Sequence, residues 1–91
     1  MLTSIEVCYH IGKGTDEEAM DLLLSKHMQG FKADWVASDH RWSKRKRWVF
    51  WPYRERSNTY IIAREDLDNV KALLPGCFYV SREQPWPFLS V

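Results

Sequence analysis

The pattern of hydrophobic and polar positions predicts a chain of strands and helices. Apolar side chains occupy every second position from Ile5 to Ile11, which is typical of a strand with one buried face. They then recur at helical spacing as far as about Met28, and Gly30 follows as a stop signal. Beyond this helix the pattern predicts β-rich runs at 34–42, 47–54 and 59–63, a helix at 64–74 and a last strand at 77–80.

This order favours an α+β fold, with a small antiparallel sheet and two helices packed on one face. Within this class, a ferredoxin-like β-α-β-β-α-β order is our leading prediction. With 91 residues, the chain suffices for one domain with a small core. We assign residues 1–84 to this domain and residues 85–91 to an extended tail, because two prolines flank Trp86. The tail either covers an apolar groove of its own domain or docks as a linear ligand on a partner.

Both predicted helices begin with acidic residues. Thr15 and Glu18 have the spacing of a capping box, which makes Thr15 the predicted N-cap of the first helix. Carboxylates stabilise the positive end of a helix, which is the simpler interpretation of the acidic starts. The alternative is that they pair with cations of a second copy and support weak self-association. The residues concerned are Asp16, Glu17, Glu18, Asp21, Glu65, Asp66 and Asp68.

The charge of the chain is unevenly distributed. The formal net charge is +1, yet seven of the 13 Lys and Arg residues lie between Arg41 and Arg56, with Glu55 as the single acid there. This stretch therefore carries 7 − 1 = +6, and the remainder, with 6 basic and 11 acidic residues, carries −5. The sequence thus predicts a basic contact surface on a chain that is almost neutral overall.

Two of the β-rich runs are predicted to form a hairpin with a four-residue loop. We expect the register in which Trp42 faces Arg47 and Arg41 faces Trp48, so that each face of the tip carries an arginine stacked on a tryptophan. The hairpin from His40 to Arg56 is the predicted contact surface. The predicted contact residues are Arg41, Trp42, Lys44, Arg45, Lys46, Arg47, Trp48, Arg54 and Arg56.

The composition of this hairpin supports three interpretations. Cations neutralise phosphates and aromatic rings stack on unpaired bases, which predicts a binding module for nucleic acid, preferably single-stranded or RNA. Trp, Tyr and Arg are also frequent in protein interfaces, so the alternative is a protein-interaction module that docks on an acidic surface of a larger nucleic-acid-handling protein. Such a module would resemble, in general style, the inhibitors that phages and mobile elements carry. The third interpretation is a solvated turn over a small aromatic core.

Signals for catalysis and for bound groups are weak. His40, Arg41, Lys44, Arg47 and Tyr53 have the chemistry for RNA cleavage, so a small ribonuclease is a further hypothesis behind the two binding ones. No histidine–carboxylate relay is legible apart from His40 beside Asp39, so we predict that the protein is not an enzyme.

Cofactor and metal sites are not expected either. The sequence Gly12–Thr15 is too short for a phosphate-binding loop. Cys8, His10 and Cys77 offer metal-ligand chemistry, with His27 or His40 as a fourth group, but they lack the spacing of a zinc site. We therefore predict no cofactor and no metal.

The cellular setting is inferred from the cysteines and the apolar pattern. Two cysteines without a spaced pair are typical of free thiols in a reducing compartment, which predicts a cytoplasmic protein. No run of about 18 apolar residues is present, and the first residues lack the pattern of a signal peptide. We therefore expect no membrane partner, and the sequence leaves the oligomeric state open.

Overall fold

A computed structural model describes residues 1–42 and 54–86 of the chain. Over these ranges the strands are β1 (Leu2–Ile11), β2 (Asp34–Trp42), β3 (Arg54–Ala63) and β4 (Tyr79–Trp86). The helices are α1 (Glu17–Gln29) and α2 (Leu67–Leu73), and a 3₁₀ turn at Arg64–Asp66 leads into α2. Neither of these described helices is long and apolar enough to span a membrane.

The strands form one antiparallel sheet in the order β2-β3-β1-β4. β1 lies between β3 and β4, and β2 adds to the other side of β3. The predicted α+β class, the antiparallel sheet and the β-α-β-β-α-β element order are therefore confirmed. The ferredoxin-like assignment, which is finer, stays a prediction.

The core lies between the two helices and one face of the sheet. Ile5, Val7 and Tyr9 project from alternate positions of β1 and are fully buried. The imidazole Nε2 of His27 in α1 lies 3.2 Å from the carbonyl oxygen of Val70 in α2, so the two helices are in contact. The remaining members of the core cluster are Leu24, Met28, Tyr60, Ile62, Val70 and Phe78. Both helices thus cover the same face, as predicted, and we call it the helix-covered face.

The opposite side of the sheet, which we call the polar face, carries Glu6 and Cys8 of β1. Direct partners across an antiparallel ladder project to the same side of the sheet. Arg41 is the direct partner of Glu55, and both belong to the polar face. His40 is the direct partner of Arg56, and both belong to the helix-covered face. Neighbouring residues of the predicted hairpin are therefore divided between two different environments.

The predicted pairing of β2 is wrong. Its partner is β3, so that Trp42 faces Arg54 and Arg41 faces Glu55. The polar stretch 55–58 was not part of a predicted strand, but its side chains find polar partners within the fold. Glu55 binds Arg41, for example, and the amide of Asn58 accepts a hydrogen bond from a serine of β2. The predicted strand at 47–54 lies outside the described residues except for Arg54.

The predicted capping box is not formed, and the N-cap of α1 lies one residue later than predicted. Asp16 is the N-cap of α1, and its Oδ1 accepts a hydrogen bond from the Ala19 backbone N–H at 3.1 Å. The Thr15 hydroxyl instead accepts the Gly12 backbone N–H at 2.8 Å, which closes the preceding turn. Each oxygen satisfies a different backbone donor, so Thr15 closes the turn and Asp16 caps the helix.

The last strand begins later and runs further than the predicted 77–80. β4 pairs with β1 as far as Trp86, which is the direct partner of Leu2, and Pro85 is the partner of Thr3. The first two residues of the predicted tail therefore follow the edge of β1. Residues 87–91 lie outside the described part of the chain.

Candidate nucleic-acid interface

The ends of β2 and β3 lie side by side at one end of the sheet. Trp42, the last residue of β2, is the direct partner of Arg54, the first residue of β3. Residues 43–53 therefore start and finish at neighbouring positions. We call residues 42–54 the basic aromatic segment, because it contains five cations, five aromatic residues and no acid. Five predicted contact residues lie outside the described ranges: Lys44, Arg45, Lys46, Arg47 and Trp48.

Trp42 and Arg54 form an exposed stacked pair. The guanidinium carbon Cζ of Arg54 lies 5.9 Å from the centroid of the Trp42 ring, which is within cation–π range. Trp42 is 60% exposed, and Arg54 is also exposed. Among the described residues, the stacking partner of Trp42 is therefore Arg54, while the predicted partner Arg47 lies outside the described ranges. The predicted contact between Arg41 and Trp48 involves a residue outside the described ranges.

Arg41 belongs to an ion cluster on the polar face. Its Nε donates to Glu55 Oε2 at 2.6 Å, and its Nη2 donates to Glu6 Oε1 at 2.7 Å. The Glu55 side chain is 4% exposed and also accepts a hydrogen bond from the Tyr79 hydroxyl. Burial alone lowers the pKa of Arg41, but the hydrogen bonds to the two carboxylates raise it above its ordinary value. Arg41 is therefore held as a cation between two acids of its own domain.

Ser81 and Cys8 complete this cluster. The Ser81 hydroxyl donates to Glu6 Oε1 at 2.5 Å, and the Cys8 sulfur lies 3.2 Å from the same hydroxyl. Burial raises the pKa of Glu6, but the hydrogen bonds from Ser81 and Arg41 outweigh burial and hold it below its ordinary value. The pKa of the Cys8 thiol is raised, chiefly by burial. A buried thiol with a raised pKa is a poor nucleophile, so the cluster serves the fold and does not activate Cys8.

Arg56 lies on the helix-covered face and binds α1. Its Nε donates to Asp21 Oδ2 at 2.8 Å, and the Tyr9 hydroxyl donates to Asp21 Oδ1 at 2.7 Å. Burial and the Asp21 carboxylate raise the pKa of Tyr9, so its hydroxyl stays a donor. His40 Nε2 lies 2.6 Å from Glu17 Oε1 and 3.3 Å from Arg56 Nη1. These contacts fasten the ends of β2 and β3 to the first turns of α1.

The four described contact residues thus fall into two groups. Trp42 and Arg54 present an exposed aromatic ring and an exposed guanidinium, whereas Arg41 and Arg56 are ion-paired within the fold. Sequence reasoning missed two acidic partners, Glu6 and Asp21, because each lies 35 positions from its arginine along the chain. The available signal was the excess of acids outside the hairpin, which implied internal partners for some of the hairpin's cations. The third acid, Glu55, lies within the hairpin.

Two residues of the ribonuclease hypothesis, His40 and Arg41, lie within the described ranges. The His40 imidazole meets Glu17, while the Asp39 carboxylate accepts the His40 backbone N–H at 2.9 Å. A histidine–carboxylate pair is therefore present, but with a different acid. His40 and Arg41 lie on opposite faces of the sheet, so they do not converge on one phosphate. Lys44, Arg47 and Tyr53 lie outside the described residues.

The candidate metal ligands are also dispersed. Over residues 1–42 and 54–86, no three His, Cys, Asp or Glu side chains are grouped so as to hold a metal ion. Cys8 is buried, whereas Cys77 is exposed. The His10 ring packs against Tyr79, with 5.3 Å between ring centroids, and His27 faces the carbonyl of α2 described above. The grouping considered from the sequence is therefore not formed by these residues.

Comparison with known proteins assigns no family to the chain. Neither a protein-family model nor a curated protein sequence matches it. The candidate interface is accordingly defined by the charge and geometry of this chain: an exposed Trp42–Arg54 pair, a basic aromatic segment that starts and ends at this pair, and ion pairs beneath it that fix the ends of both strands.

Proposed function

We propose that this protein is a binding module that contacts single-stranded nucleic acid through the basic aromatic segment. The observation that carries the proposal is the exposed Trp42–Arg54 pair at the base of a segment with five cations and no acid. An aromatic face stacks on an unpaired base and contributes about 1–3 kcal/mol, and a neighbouring cation neutralises a phosphate. Single strands and RNA loops expose such bases, whereas an intact duplex hides them.

The ion pairs below the segment also favour this proposal. Arg41 and Arg56 are engaged by Glu6, Glu55 and Asp21, so these two arginines act as anchors of the strand ends. Anchors of this kind restrict the motion of Trp42 and Arg54, and a contact surface that is already ordered loses less entropy on binding. The contact cations of the proposal are therefore Arg54 together with Lys44, Arg45, Lys46 and Arg47.

The test is fluorescence anisotropy of a labelled oligonucleotide at about 50 and 200 mM salt. Single-stranded RNA and DNA are expected to bind in a saturable manner, and a blunt duplex of the same length is expected to bind more weakly. The variant Arg45→Glu/Lys46→Glu is expected to lose most of the affinity. The matched control is Lys13→Glu/Lys26→Glu, which makes the same change of charge at two exposed positions outside the segment and is expected to keep most of it.

The results also separate the proposal from its alternatives. Absence of saturable binding at low salt would contradict the proposal and favour the protein-interaction module that docks on an acidic surface. Affinity capture with wild-type protein and with Arg45→Glu/Lys46→Glu would then identify a partner whose binding depends on these two cations. The proposal further predicts binding without cleavage. Cleavage that disappears in His40→Ala, while binding persists, would support the ribonuclease hypothesis instead.

A further inference from the structure

An open polar cavity lies on the helix-covered face, between α1 and the strands β2 and β3. Its volume is about 290 Å³, at the small end of the range for ligand sites, so it suits a single ring system. Its walls include the Trp35 indole, the Asp21 carboxylate and the Tyr60 phenol. None of these three residues belonged to the contact surface predicted from the sequence.

Trp35 forms an exposed wall of this cavity with a fixed orientation. It is 59% exposed, yet its indole Nε1 donates to the Ser38 hydroxyl at 3.1 Å. Ser38 donates in turn to Asn58 Oδ1, and Asn58 is 4% exposed. A chain of hydrogen bonds therefore ties the exposed ring to a buried amide. An aromatic ring that is held in place while its surface stays open is suited to stack on a flat ligand.

The acceptor groups of the cavity are largely in use. The Asp21 carboxylate accepts hydrogen bonds from Arg56 Nε, from the Tyr9 hydroxyl and from Asn58 Nδ2 at 3.4 Å. Asn58 Oδ1 is the acceptor for Ser38. A ligand that offers hydrogen-bond donors would therefore compete with contacts that already exist inside the protein.

Several donor groups are still available to a ligand. The Ser25 hydroxyl accepts a hydrogen bond from Gln29 Nε2 at 3.3 Å, which leaves its own O–H to donate. Tyr60 is 5% exposed and lines the cavity, and its hydroxyl has no hydrogen bond to any described residue. Burial and the Asp21 carboxylate raise the pKa of Tyr60, so this hydroxyl keeps its proton. The cavity therefore presents mainly donors beside an aromatic wall.

We infer that the cavity binds one unstacked uracil of the strand held by the basic aromatic segment; this inference rests on the proposed function. Uracil is flat, so it can stack on Trp35, and its two carbonyl oxygens accept from the Ser25 and Tyr60 hydroxyls. Cytosine and adenine present an amino group in place of the corresponding oxygen and lack this match.

The sheet register places the cavity within reach of the segment. Ser38, His40 and Trp42 project to the same side of β2, and their direct partners on β3 are Asn58, Arg56 and Arg54. Trp42 lies four positions after Ser38, which corresponds to about 13 Å along a strand. A strand that stacks on Trp42 can therefore continue along this face toward Trp35.

The first experiment compares short oligouridine and oligocytidine of equal length by fluorescence anisotropy. These polymers have the same backbone and ring size, so their affinity ratio isolates the keto group from phosphate contacts. Wild-type protein is expected to prefer oligouridine. Trp35→Ala is expected to weaken oligouridine binding by about 5- to 100-fold and to abolish the preference. Trp35→Phe is expected to retain it, and Leu73→Ala, a change at an exposed position of α2, is expected to behave as wild type.

The second experiment uses free nucleosides and does not depend on the basic aromatic segment. Uridine is expected to shift the Trp35 indole N–H resonance in a proton–nitrogen correlation spectrum, and cytidine is expected to shift it less. The resonance is assigned by its loss in Trp35→Phe.

Wild-type protein could bind oligonucleotides, and Arg45→Glu/Lys46→Glu could fail to, while oligouridine is not preferred and uridine does not shift the Trp35 resonance. The cavity inference would then be wrong, and the proposed function would stand. If no oligonucleotide binds and uridine leaves the resonance in place, both are wrong.

Discussion

Replacing Arg41 by alanine is expected to destabilise the fold far more than it alters the contact surface. The change removes the hydrogen bonds to Glu55 at 2.6 Å and to Glu6 at 2.7 Å. It takes the Arg41 guanidinium away from the Glu55 carboxylate, whose side chain is 4% exposed. Loss of one partner of a fully buried ion pair costs about 3–5 kcal/mol, whereas an exposed pair contributes about 0–1 kcal/mol.

The partial burial of the paired side chains places the expected loss of stability between these two limits. The Arg41 and Glu6 side chains are 32% and 18% exposed, so water screens part of the interaction. We expect a loss of about 2–3 kcal/mol in the free energy of unfolding at neutral pH. For a domain of this size that corresponds to a fall in Tm of about 10–20 °C. Denaturant unfolding followed by circular dichroism measures the first quantity, and calorimetry measures the second.

The stability lost in Arg41→Ala should depend on pH in a defined direction. The pKa of Glu6 is held below its ordinary value in the folded protein by hydrogen bonds that include Arg41. A lowered folded-state pKa contributes stability above the unfolded pKa, near 4.3, and this contribution disappears as the pH falls through the folded value. The gap in stability between wild type and Arg41→Ala is therefore expected to narrow below about pH 4.

Arg54→Ala is the matched control, because it removes the same charge from the exposed stacked pair. Loss of this contact should cost about 0.5–1 kcal/mol in stability. It is expected to weaken oligonucleotide binding, which Arg41→Ala, assayed well below its own Tm, leaves nearly intact. The division into anchors and contacts is refuted if the free energy of unfolding of Arg41→Ala lies within about 0.5 kcal/mol of the wild-type value and the variant loses its affinity for the oligonucleotide. Arg41 would then be a contact residue.

Three further outcomes test the described structure. A chromogenic disulfide reagent should titrate the exposed Cys77 in native protein and the buried Cys8 only after unfolding; two fast thiols in native protein would contradict this. Asp16→Ala should cost about 1 kcal/mol in denaturant unfolding because it removes the N-cap of α1, and an equal or larger cost for Thr15→Ala would restore the capping box. Asp21→Asn should cost about 1–3 kcal/mol, since several donors lose their carboxylate, and an unchanged Tm would show that these hydrogen bonds are replaced by water.

The fold class could be predicted from the sequence, because each pattern used reflects the burial of one side of a single strand or helix. The alternation from Ile5 to Ile11 and the helical spacing before Met28 report which side of an element is buried. β1 buries that side, and α1 buries Leu24 and Met28, although Leu23 of the same spacing is 46% exposed. Gly30 lies directly after α1, where the sequence predicted its end. Features that depend on the buried side of a single strand or helix could therefore be predicted from the sequence.

The pairing of β2 could not be predicted in this way, because it depends on contacts between residues that are distant along the chain. The run at 47–54 was the predicted partner of β2, and the polar stretch at 55–58 had the weaker local strand pattern. Its side chains nevertheless find polar partners, because Glu55 binds Arg41 and Arg56 binds Asp21 from 35 positions away. Polar residues that look solvated in the sequence are thus part of the sheet, and their identity as anchors appears only with their partners.

The dependence on distant partners also explains why the candidate site differs from the site predicted from the sequence. Arg41 and Arg56 were indistinguishable from Arg54 as cations of the hairpin, since the sequence contains no signal for their ion pairs apart from the overall charge balance. Trp35 lies seven positions before Trp42, and its role as a cavity wall depends on α1 and β3, which the local pattern does not bring together. Long-range geometry therefore separated the contact residues from the anchors and added the cavity.

The salt dependence of single-strand binding is the decisive measurement for the proposed function. Five contact cations on a single strand predict a slope of about −3.5 for log K against log salt, which is a loss of affinity of roughly 100-fold between about 50 and 200 mM. The measurement uses wild-type protein and a short single-stranded oligonucleotide. A slope near −3.5 that falls to about −2 in Arg45→Glu/Lys46→Glu supports the account. A slope near zero, or no binding at about 50 mM, contradicts it.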